Sequence, residues 1–227
     1  MSTDLGKCTV AEKRVRCDGC FFLVEQCVCP WVPRLSTRLS ILILQDPKEA
    51  KHAKNTVPLL RLGLPLVECI QTTNHDALCC ALSQKNPAKW RLLFPSDEAT
   101  AIESMDAKVA SDIEGLIVLD ATWRKAKKLY FTEPLLQNFK SLYFARPPAG
   151  QYHIRKSPCE LSLSTLEASA YAIEQITGEN MQPLREFMLS AQTWQWRTQP
   201  LTHRHGNQAT ILLNIKEITR MDKQKEI

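Results

Sequence analysis

Two runs in this 227-residue chain are apolar with almost no break: Leu39-Ser40-Ile41-Leu42-Ile43-Leu44 and Gly115-Leu116-Ile117-Val118-Leu119. A strand with one wet face alternates apolar and polar residues, because successive side chains point to opposite sides of the pleat. Runs this short and this continuously apolar need cover on both faces. Trp90-Arg91-Leu92-Leu93-Phe94, stopped by Pro95, and Ser141-Leu142-Tyr143-Phe144-Ala145 read as further strands. Lys48 to Leu62 reads as helix or loop, and Ala99 to Ser111 as an acidic helix. Thr122 to Phe131, Ser164 to Thr177 (ended by Gly178) and Pro183 to Arg197 read as helices, and Arg146 to Leu163 as a long loop. Strands alternating with helices predict an α/β fold around a mostly parallel sheet.

Composition narrows the class. Hydrophobic residues make up 44% and charged residues 23% of the chain, which excludes disorder as its main state. No apolar run reaches the ~18 residues of a membrane helix. The greasiest stretch, Val57 to Ile70, carries Arg61 and Glu68, so no membrane association is expected. The first nine residues lack the apolar region of a secretory leader, and a cytoplasmic protein is expected. In that compartment nine cysteines, an odd number, point to metal binding or catalysis rather than disulfides. Four fall within thirteen residues, as Cys17-x2-Cys20-x6-Cys27-x-Cys29. The C-x2-C knuckle aims two thiolates at one ion, and the second pair completes a tetrahedral set, so structural zinc is expected, or else iron. Cys8 is a possible substitute ligand. Buried free thiols or a redox pair are the plainer alternatives.

Ligands in parallel sheets bind beyond the carboxyl ends of the strands. There Asp120 is open to two readings. It could cap the following helix, or act as a general base in a cleft. Trp123 could stack on a ring or pack beneath its helix. Residues 121–158 carry eight basic side chains against one acid, Glu133, so this segment is +7 while the whole chain is +5. Arg124, Lys125, Lys127, Lys128 and Lys156 are candidate contacts to an RNA backbone, with aromatic neighbours suited to unstacked bases. Ser164 and Glu167 are spaced as a capping box. No G-x-G-x-x-G or G-x4-G-K-[ST] loop occurs, which disfavours a conventional nucleotide loop.

Asp120-Ala121-Thr122-Trp123 after an apolar strand resembles the signature of the DTW-domain family. The resemblance extends through the cysteine cluster, Pro47-x-Glu49 with Asn55-Thr56, Pro95-Ser96, and Arg155-Lys156-x-Pro158 leading into Leu163-Ser164-Thr165-Leu166-Glu167-Ala168. It spans residues 14–198, and Gln45-Asp46-Pro47 stands where the family frequently has a histidine before the proline. The full set is similar to the bacterial tRNA-uridine aminocarboxypropyltransferases of the SPOUT-like superfamily. That resemblance implies a SPOUT-like sheet with a C-terminal trefoil knot in a catalytic domain over residues 37–227, preceded by a metal-bound module over residues 1–36. It also implies transfer of the 3-amino-3-carboxypropyl group of S-adenosylmethionine to N3 of a tRNA uridine at position 47 of the variable loop, releasing 5′-methylthioadenosine. Asp120, Thr122 and Trp123 would be catalytic. Pro95, Ser96, Asp120, Arg155, Leu163, Ser164, Thr165 and Glu167 would line the S-adenosylmethionine pocket. A monomer is expected. The alternatives are an S-adenosylmethionine-dependent RNA methyltransferase and a non-catalytic zinc protein that binds RNA.

Overall fold

Every strand of the sheet runs in the same direction. The computed structural model describes residues 14–152, 154 and 162–198. Its strands are β1 (Ser40–Gln45), β2 (Val67–Gln71), β3 (Trp90–Leu93), β4 (Thr100–Ala101), β5 (Gly115–Asp120) and β6 (Lys140–Tyr143). They pair in the order β2-β1-β5-β3-β6-β4, all parallel. The helices are α1 (Pro47–Ala50), α2 (Val57–Gly63), α3 (His75–Ser83), α4 (Ala107–Ser111), α5 (Trp123–Thr132), α6 (Thr165–Thr177) and α7 (Gln182–Gln195).

The unbroken apolar runs are explained by cover on both faces. Ile41 and Ile43 of β1, with Leu116 and Val118 of β5, pack under α2, α4, α6 and α7. Leu42, Leu44 and Ile117 point the other way, beneath α3 and α5. Each such fully buried side chain stabilises the fold by roughly 1.5–3 kcal/mol before entropy is counted. The same period of two fixes where the strands' last residues point. Gln45 and Asp120 lie in register with each other, and both continue the row that faces α6.

One expectation changes. Ala99 to Ser111 is not one helix. Thr100 and Ala101 pair with Leu142 and Tyr143 as an edge strand, a 3-10 turn covers Ile102–Ser104, and α4 starts afresh where Asp106 accepts from the Lys108 N–H at 2.8 Å. The apolar stretch Val57 to Ile70 splits at Leu64-Pro65 into α2 and β2. Strand β2 and helix α3 carry little signal in the sequence, because β2 is a half-buried edge strand. By contrast Gly178 ends α6 in the left-handed conformation, φ 74°, as its lack of a Cβ allows.

The cysteine-bearing segment packs on α7. Trp31 and Trp194 rings lie 5.6 Å apart, Arg197 donates to the Glu25 carbonyl at 2.8 Å, and Val28 is fully buried in the core shared with α6 and α7. Among the described residues no helix is long and apolar enough to cross a membrane.

Candidate active site

Asp120 is the centre of a hydrogen-bonded chain at the carboxyl edge of the sheet. Its Oδ2 accepts from Gln45 Nε2 at 2.8 Å, and its Oδ1 accepts from Thr165 Oγ1 at 2.5 Å. Cys69, in the middle of β2, donates to Gln45 Oε1 at 3.7 Å. Burial pushes the Cys69 thiol up, which keeps it a donor and fixes which way the Gln45 amide faces. The capping reading of Asp120 does not hold. Thr122 occupies the cap position of α5, and the Asp120 carboxylate turns toward β1 and α6 instead. Both carboxylate oxygens of Asp120 are thus held in place, one from β1 and one from α6.

Helix α6 delivers Thr165 through its first turn. Ser164 caps it, with Ser164 Oγ accepting from the Glu167 N–H at 3.3 Å and Glu167 Oε2 accepting from the Ser164 N–H at 2.8 Å. The capping box expected from Ser164 and Glu167 is therefore present, and Glu167 does more. Its Oε1 accepts from the Gln151 N–H at 2.5 Å, so the buried carboxylate also holds the incoming loop. Asn55 Oδ1 accepts from the Val57 N–H at 2.9 Å and starts α2. Buried Thr56 accepts from the Leu166 N–H at 3.3 Å. Tyr152 donates to the Lys54 carbonyl at 3.0 Å, and Lys54 Nζ donates to the Ile154 carbonyl. Pro95 and Ser96 follow β3 at the same carboxyl edge of the sheet, β3 being the strand whose Leu93 pairs with Val118 of β5.

On the other side of Asp120 the surface is aromatic and basic. Trp123 is 64% exposed, so it does not pack beneath its helix. Thr122, Arg124, Lys127 and Lys128 are exposed. Helical spacing gathers Trp123, Arg124, Lys127, Lys128 and exposed Phe131 on one face of α5. Lys125 faces inward and pairs with Asp46 at 2.5 Å. Burial opposes ionisation of Asp46, yet the Lys125 ammonium and the Lys48 N–H outweigh it and hold the carboxyl below its usual range. Arg155, Lys156, Cys8, His203 and His205 lie outside the described residues.

The four N-terminal thiols converge. Sγ separations are 3.7 Å for Cys17 and Cys29, 3.8 Å for Cys20 and Cys27, and 3.5 Å for Cys17 and Cys27, and all four lie within 4.8 Å of one another. A tetrahedral ion at zinc–sulfur lengths places its sulfurs about 3.8 Å apart, so the residues fit zinc. A Cβ on Gly19 would stand 3.0 Å from Cys29 Sγ, which makes glycine the residue that lets the knuckle close. The backbone N–H groups of Cys20 and Gly19 pull the Cys17 thiol down to about 6, while burial pushes Cys29 up to about 12.

Comparison with known proteins accounts for this arrangement. The DTW domain matches residues 14–195, from the cysteine knuckle to the end of α7. The chain belongs to the DTW domain family. It is similar to tRNA-uridine aminocarboxypropyltransferase 2 of Drosophila melanogaster, with 30% identity over 169 residues, 71% of this chain and 66% of that protein. It is 29% identical to the Mus musculus protein of the same name over 180 residues, 75% of this chain and 59% of that one. Arabidopsis thaliana tRNA-uridine aminocarboxypropyltransferase A is 30% identical over 134 residues, 52% of this chain and 51% of the relative. The chain thus spans about half to two thirds of the length of these curated relatives. No solved structure matches it. Within this DTW domain, Gln45 and Cys69 are the neighbours of Asp120 that sequence reasoning missed. The register of β1 against β5 is the signal that places Gln45 there. Cys69 had none.

Proposed function

We propose that this DTW protein transfers the 3-amino-3-carboxypropyl group of S-adenosylmethionine to N3 of a uridine in tRNA, releasing 5′-methylthioadenosine. The observation that carries the proposal is the Asp120 carboxyl group, held by Gln45 and Thr165 near an exposed Trp123, in a chain whose relatives bear that activity in their names. Uridine N3 bears a proton and is a weak nucleophile until the proton leaves. Asp120 takes that proton. The N3 electron pair then forms a bond to the methionine Cγ, the Cγ–S bond breaks, and its electrons neutralise the sulfonium. The rest is positioning. Thr165, Leu163, Ser164 and Glu167 shape the side of the pocket formed by α6, and Pro95 and Ser96 the β3 side; we assign Arg155 to the same pocket. Trp123 stacks on a base taken out of its helix, with Thr122 orienting it.

Arg124, Lys127, Lys128 and Lys156 neutralise tRNA phosphates. Lys125, although grouped with them in sequence, reaches Asp46 and acts there as a tether. In this reading zinc on Cys17, Cys20, Cys27 and Cys29 is structural, since four thiolates leave no position for substrate. The chain is a cytoplasmic monomer made of a metal module over residues 1–36 and a catalytic domain over residues 37–227. The catalytic domain is SPOUT-like, with a knotted C-terminal region, and the variable-loop uridine is its target. Support for that fold is the parallel sheet with α6 docked on the Asp120 edge.

The test uses S-adenosylmethionine labelled at the carboxyl carbon or at the methyl carbon, with unmodified tRNA and mass analysis of the nucleosides. Label from the carboxyl carbon alone is expected. Label from the methyl carbon would make the protein a methyltransferase, and tRNA binding without turnover would make it a binding protein.

A further inference from the structure

A second group of ligand-type side chains lies away from both Asp120 and the cysteine knuckle. His75 and Cys79 are four residues apart on α3, so they share one helix face. Glu133, which caps the 3-10 turn Pro134–Asn138, comes to them from the end of α5. Their ligand atoms all lie within 4.8 Å of one another. Glu133 is the single acid among the basic residues of the 121–158 segment, yet it points at none of the α5 lysines. Its side chain is 6% exposed, and its partners among the described residues are the Leu135 N–H at 3.3 Å and the His75 ring.

The spacing is that of a metal site. His75 Nε2 stands 3.3 Å from Glu133 Oε2, and Cys79 Sγ lies 3.6 Å from that nitrogen and 3.5 Å from Nδ1 of the same ring. The first distance is long for a charge-assisted hydrogen bond, for which about 2.8 Å is usual. A tetrahedral ion at ordinary zinc–ligand lengths requires about 3.4 Å between nitrogen and oxygen and about 3.6 Å between nitrogen and sulfur. The His75–Glu133 separation meets the first requirement, and a turn of the exposed imidazole would aim the same nitrogen at an ion shared with Cys79. The donor set of imidazole, thiolate and carboxylate suits a borderline-soft divalent ion and not magnesium or calcium, which take oxygen ligands. We propose that His75, Cys79 and Glu133 form a second zinc-class metal site, open to solvent at its fourth position because His75 is exposed. A bound ion would compensate the buried Glu133 charge and clamp α3 to the α5 corner.

Metal stoichiometry after equilibration with zinc and removal of weakly held ion tests this independently of tRNA modification. The wild-type chain is expected to hold one more equivalent than His75→Ala or Cys79→Ser, with circular dichroism unchanged. Cys80→Ser, one residue along at an exposed thiol, is expected to keep it. Titration with cobalt(II) is expected to show, in a Cys17→Ser/Cys20→Ser variant, a weak charge-transfer band from one thiolate that Cys79→Ser abolishes. Equal metal content in wild type, His75→Ala and Cys79→Ser would overturn the site, as would loss of the extra equivalent in Cys80→Ser.

Discussion

The cysteine knuckle and the Asp120 crevice are built in opposite ways. The knuckle draws its four sulfurs from thirteen consecutive residues. The crevice draws Gln45, Asp120 and Thr165 from β1, β5 and α6, across 121 positions of chain. The knuckle closes around whatever it binds. The crevice holds a charge at an edge beside an exposed tryptophan. A local site needs only a turn and four ligands, and its stability rests on the ion. A dispersed site needs the whole sheet in register, and its stability is that of the core. Loss of the metal should therefore damage one region's structure, while loss of Asp120 should damage chemistry and leave the structure intact.

The largest effect follows from Asp120. Asp120→Asn keeps the shape and one acceptor but cannot take a proton. We expect transfer to fall by roughly 10²–10⁴, the usual contribution of a positioned base, with metal content unchanged. Single-turnover assays with labelled S-adenosylmethionine measure it. Full activity would show that the crevice holds charge for some other purpose. Next comes the knuckle. Cys17→Ser removes the thiolate that ionises most readily. We expect that site's metal to be lost and Tm to drop by at least ~5 °C, about 2 kcal/mol in a domain of this size. Hydrogen exchange should rise over residues 14–36 and remain slow in β1 and β5. Exchange that rises equally across the sheet would erase the contrast between the two regions.

How much of each region could be read in the sequence follows the same division. The C-x2-C spacing predicted the knuckle because all its geometry is local. Asp120 stood out because it ends the most apolar strand. Its partners did not, because nothing near Gln45 announces that β1 lies beside β5 and not beside β3. Strand order is set by which helices cover which face, and the apolar periodicity of β1 is the same for either neighbour. Thr165 was named through a family resemblance and through its place at a helix start. Its bond to Asp120 required the packing of α6 on the β5 face. The acidic run Ala99 to Ser111 misled for a related reason. The pairing of two residues with β6 outweighed a helical composition, as tertiary context often does.

A smaller effect separates holding Asp120 from being Asp120. Thr165→Val and Gln45→Leu each remove one hydrogen bond to a charged group, worth about 1.5–3 kcal/mol. If that stabilisation acts in the transition state, kcat falls about ten- to a hundredfold, less than in Asp120→Asn. Single-turnover assays at saturating S-adenosylmethionine measure it. An unchanged kcat with a raised KM for S-adenosylmethionine would assign Thr165 to the cofactor instead.

The smallest effect concerns the tether between the two sides of the crevice. The Asp46 N–H donates to the Asp120 carbonyl at 2.9 Å, and the Asp46 carboxylate receives Lys125 of α5. The folded-state pKa of Asp46 is depressed. Its contribution is therefore fully present above the unfolded carboxyl value of ~3.9 and is lost as pH falls through the lower folded value. Asparagine also caps helices, so Asp46→Asn isolates the charge. With Lys125 partly exposed and screened, the difference in unfolding free energy is expected to be no more than about 1 kcal/mol at pH 7. It should shrink below about pH 4. Urea denaturation of both forms at several pH values measures it. A difference that stays constant into acid would mean that Asp46 stabilises through its cap alone, and that α5 is positioned by its apolar face rather than by this ion pair.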